Sequence, residues 1–184
     1  MIQAHAIPSR YADAAASVVT RHLEMLYSTR PDLRAAKAVS LGESFSVWTL
    51  RHDFGAATSP EKAFTQLGYW HQIFFDGRAA GFARSSIIGD GLSLDAIGAL
   101  PVVEKIDAAI DWIDAKVSGD YSARLLSIPF AHAHLFWLSG DDDRFVLIDR
   151  PIGPLQQENL YRFDEVRDAV EQIRKGLDSN SPGH

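Results

Sequence analysis

The sequence predicts an α+β domain in which one mainly antiparallel sheet of about five strands, two hairpins plus one strand, packs with three long helices. Three observations carry this. Asp76-Gly77 separates two runs rich in aromatic and β-branched residues, as a two-residue hairpin requires. Three other segments repeat apolar residues at helical spacing. Local hairpins impose antiparallel pairing, and striped helices need a sheet to cover.

The first helix is expected after Pro8, with Ser9 as N-cap and a stripe of Tyr11, Ala15, Val18, His22 and Met25. It should stop before Pro31, which disfavours helical geometry in the preceding residue. Phe45 to His52 reads as a strand with apolar weight on both faces. Ser59-Pro60-Glu61 starts a short helix that Gly68 is expected to end. In the hairpin, an Asp-Gly turn pairs Phe75 with Arg78, Ile73 with Ala80 and His71 with Phe82. One face then carries Tyr69, His71, Ile73, Phe75, Ala80 and Phe82, and the other Trp70, Gln72 and Phe74 opposite small residues.

Gly89-Asp90-Gly91 is expected to break the sheet. A helix follows from Pro101 to Val117, striped by Val103, Ile106, Ile110, Ile113 and Val117. Arg124 to Leu138 reads as a long strand bent at Pro129, because proline removes a ladder hydrogen bond. Asp141-Asp142-Asp143 is a solvated turn, and Arg144 to Asp149 returns as a strand. The last helix spans Phe163 to Lys175, with acids at its start, bases at its end and Gly176 as its stop. One globular domain is expected over residues 1–177, with a flexible C-terminal tail over 178–184.

Composition narrows the function classes. The chain has 184 residues, a net charge of −6 and no Lys/Arg-rich run, so nucleic acid is not an expected partner. It has no cysteine, which removes thiol catalysis and cysteine-ligated zinc. No window approaches about 18 consecutive apolar residues, so no membrane contact and a cytoplasmic location are expected. No Gly-rich phosphate loop, dinucleotide fingerprint or Gly-x-Ser-x-Gly turn is present. No catalytic residue and no cofactor is therefore assigned.

Two constellations remain. His132-Ala133-His134 would place two imidazoles on one face of a strand, and His71 on the other hairpin could add a third metal ligand. The competing reading is that these histidines belong to a core stripe with Phe130, Phe136 and Leu138. The second constellation is the aromatic group. Strands with large apolar residues on both faces need cover on both faces, and an uncovered part would be a binding surface. Trp48, Tyr69, Trp70 and Trp137 are its candidate contact residues. The order of elements and the acidic charge resemble those of the small acidic chaperones of bacterial type III secretion. This chain is longer, and Ser59–Leu67 inserts an extra helix. The resemblance implies a dimeric binding protein. The expected function is thus a non-enzymatic binding or adaptor protein, chaperone-like and homodimeric, that holds a protein partner or a small apolar ligand. The alternative is a small metal-dependent enzyme or metal-binding protein built on the strand histidines.

Overall fold

The computed structural model describes residues 2–4, 7–99 and 101–179. The elements are β1 (Ile2–Ala4), α1 (Ser9–Arg21), α2 (Leu23–Thr29), β2 (Val39–Leu50), α3 (Pro60–Ala63), β3 (Phe64–Phe75), β4 (Arg78–Ile88), β5 (Gly91–Ala99), α4 (Pro101–Lys116), β6 (Tyr121–Ile128), β7 (Ala133–Ser139), β8 (Arg144–Leu147) and α5 (Phe163–Ser179). The α+β class holds, but in place of the expected five strands the described residues form eight in one sheet, ordered β5-β4-β3-β2-β6-β7-β8 with β1 beside β6. The sheet is mixed. β6 runs parallel to β1 and β2, and every other neighbouring pair is antiparallel.

Several departures have a local cause. Gly89 takes φ 58° and turns the chain into β5 rather than ending the sheet. Pro129 opens a 3-10 turn over Pro129–Ala131, so the expected bent strand is the β6–β7 hairpin. Gly68 lies inside β3, not at a helix end. A Cβ there would sit 1.7 Å from the Ser85 carbonyl oxygen, so the close approach of β4 demands glycine. α1 breaks at His22, and the buried stripe shifts to Val19, Leu23 and Leu26 while Met25 is exposed. Gly176 sits within α5, which continues to Ser179. Of the expected tail, 178 and 179 are therefore helical and 180–184 lie outside the described residues.

The Asp76-Gly77 turn forms as expected, with φ of 47° and 76°. Phe75 pairs with Arg78, but a bulge then shifts the register. Ile73 faces Gly81 and His71 faces Ala83. Phe82 consequently leaves the His71 face and stacks on Trp70, ring centroids 5.8 Å apart.

Helices cover both faces. α4 packs Val103, Ile106 and Ile113 on the face bearing Phe45, Trp70, Leu125 and Phe136. On the opposite face, α1 and α2 cover Ile73, Phe75 and Ala83 at one end. α5 covers Leu126, Leu135, Trp137 and Phe145 at the other through Val166, Ala169 and Val170. Among the described residues, no helix is long and apolar enough to cross a membrane.

Candidate functional site

The face under α4 is not completely filled. A cavity of about 210 Å³ lies between the first turns of α4 and the sheet. Its apolar wall is Val47, Trp70, Phe82, Leu125 and Ile148 from the strands and their ends, with Val102 and Ile106 from α4. Residues from β5 at one edge and from the end of β8 at the other reach this one cavity. Laid flat, those strands would span roughly 29 Å at about 4.8 Å per step, far wider than the cavity. The sheet therefore curls about α4, as twisted sheets do. A groove of about 540 Å³ adjoins it, and the two share Val47, Arg84, Ser127 and His134.

The shared wall is where the polar groups gather. His134, the second residue of β7, lies opposite Ser127 of β6, so both side chains point to the α4 face. His134 Nδ1 lies 2.6 Å from Asp149 Oδ2, just beyond the end of β8. Lys105 of α4 reaches the other carboxylate oxygen, Nζ to Oδ1 3.6 Å. The Asp149 side chain is only 17% exposed. Burial pushes its pKa up, but the hydrogen bond from His134 and the charges of His134 and Lys105 outweigh that and hold it below the usual carboxylate value. When the imidazole is neutral, an ionised Asp149 accepts from Nδ1–H and selects the tautomer that leaves the lone pair on Nε2. Nε2 has no hydrogen-bond partner among the described residues. Across the wall, Arg84 makes only a loose pair with Asp95, Nε to Oδ2 3.7 Å, and Ser86 Oγ donates to the same carboxylate at 2.6 Å.

The three histidines expected to share a metal do not gather on one strand face: His132 and His134 both border the larger groove, and His71 lies on the opposite face of the sheet. His132 is exposed in the turn before β7, at φ 48° and ψ 46°, so the pair does not line one strand face. His71 is fully buried on the opposite face. Its Nδ1 is 3.0 Å from Ser44 Oγ and its Nε2 3.0 Å from Ser85 Oγ. Burial pushes its pKa down to about 4. Among the described residues, no three His, Asp or Glu side chains are grouped to hold a metal ion.

Of the four aromatic candidates, Trp70 lines the cavity. Tyr69 is buried against Tyr11, ring centroids 5.7 Å apart. Trp137 is buried under α5 and donates from Nε1 to Asp143 Oδ1 at 2.9 Å. Trp48 packs edge-on against it, and Arg124 lies over both rings, at 5.1 and 4.2 Å.

Arg84, Lys105, Ser127 and Asp149 were not found from the sequence. One signal was available for two of them. Arg84 is a lone charge ending the small apolar run Ala79 to Ala83, and Asp149 closes the apolar run Phe145 to Ile148. Comparison with protein-family models, with curated proteins and with solved structures finds no match.

Proposed function

We propose that this protein binds a small, largely apolar molecule in the cavity between α4 and the sheet, with the polar end of that molecule at the Arg84–Ser127–His134 wall. The observation that carries the reading is the cavity itself, about 210 Å³ with an apolar lining and a polar rim. Concave apolar sites with a few convergent polar groups are the usual form of a small-molecule site. An open aromatic sheet face for a protein partner fits less well, since α1, α2 and α5 occupy the face where Tyr69 and Trp137 lie.

The test is a titration with N-phenyl-1-naphthylamine, a neutral dye that brightens in apolar surroundings. The wild type is expected to bind it saturably, with quenching of Trp70. Ala96→Phe and Val102→Trp, which fill the cavity from β5 and from α4, are expected to weaken binding at least tenfold. Equal binding by both folded variants would overturn the reading.

A further inference from the structure

We propose that His134, positioned by Asp149, is a general base that drives hydrolysis of a small carboxylic ester held in this cavity. The inference rests on the binding reading above and adds a reaction to it. Three features converge. Asp149 engages His134 Nδ1 at 2.6 Å, which orients the ring and stabilises the imidazolium that forms on proton uptake. Nε2 has no partner among the described residues, and His134 lines both the cavity and the groove, so a water in the groove can lie between this nitrogen and a bound ligand. Arg84 lines the same two spaces, and its terminal nitrogens make no hydrogen bond among the described residues. A cation in that wall stabilises an oxygen that gains negative charge.

The ester's acyl chain lies against Val47, Trp70 and Leu125. His134 Nε2 takes a proton from water as the water oxygen bonds to the carbonyl carbon. The carbonyl π pair moves to oxygen, forming a tetrahedral oxyanion beside Arg84. Collapse restores the carbonyl and breaks the bond to the alkoxy oxygen. The alcohol leaves with the proton from the imidazolium, and the acid loses its own proton to solvent.

The experiment uses p-nitrophenyl butyrate as substrate. The non-hydrolysable ketone 1-(4-nitrophenyl)pentan-2-one is the binding control, read by displacement of the naphthylamine dye. Wild type is expected to release nitrophenolate saturably, and His134→Ala and His134→Gln to lose about 100-fold or more in kcat. Both variants should still bind the ketone, which shows that they fold. Asp149→Asn is expected to lower kcat with little change in KM, whereas simple loosening of the pocket would raise KM. If the ketone binds but the ester is not turned over, or is turned over equally by His134→Ala, the catalytic assignment is wrong and the binding reading stands. If the wild type binds neither dye nor ketone, both fall.

Discussion

His71 and His134 sit on opposite faces of one sheet, and their surroundings differ in the one respect that matters for chemistry. His71 has both ring nitrogens engaged by serines and no exposed surface. His134 has one nitrogen engaged by a carboxylate, the other without a hydrogen-bond partner among the described residues, and a side chain 38% exposed that borders a groove. The first arrangement satisfies a buried polar group and stiffens three strands. The second leaves a basic lone pair where a ligand can reach it. Residue type does not separate the two; the number of engaged nitrogens does.

The largest test of this contrast is Trp137→Ala on the sealed face. Trp137 is fully buried under α5 among Trp48, Phe64 and Phe145, so its loss is expected to cost about 3–5 kcal/mol in urea unfolding. Val102→Ala, at the partly exposed cavity rim, should stay within about 0.5 kcal/mol. Comparable losses would mean that the cavity face is packed as tightly as the other.

Next in size is the pH response of His71. Its folded pKa is lowered from 6.5 to about 4. Between those values the unfolded chain holds a proton that the native state does not, so stability falls as pH drops through this window. About 3 kcal/mol is expected to be lost between pH 7 and pH 4, and His71→Gln should abolish this slope even if it lowers stability at pH 7. Urea midpoints at three pH values decide it. A slope that persists in the variant assigns it to another group.

The smallest effect belongs to Asp149→Asn. The pair it breaks is partly solvated, so about 1 kcal/mol or less of stability is expected to go at pH 7. A loss as large as that of Trp137→Ala would make the His134–Asp149 pair a structural element like His71 and its serines.

The sequence made the hairpin at Asp76-Gly77, the striped helix α4 and the apolar weight on both sheet faces legible, because each depends on residues close together in the chain, but it left open what covers the second face. It hid three things that depend on distant or single-residue effects. The bulge that moves Phe82 onto Trp70 comes from one extra residue at Ala80, in a run of small residues that favours neither register. The short β1 has no pattern of its own and exists because β6 offers it an edge. The polar wall joins β4, β6, β7 and the end of β8, which no spacing along the chain reveals. The placement of His132 was hidden for a related reason. His132 falls in the turn that Pro129 opens, so strand alternation did not apply to it.

The parallel pairing of β2 with β6 has a consequence for how the chain reaches this structure. Strands β2 to β5 form a run of local antiparallel pairs, as do β6 to β8. The two runs meet where Thr49 Oγ1 donates to the Ser127 carbonyl, across 78 residues of chain. Contacts of such sequence separation close a long loop and form slowly. The cavity takes one wall from each run, so it does not exist until they join. A ligand of the cavity should therefore slow unfolding without speeding the early formation of either run, and its binding would serve as a clock for the last step of folding.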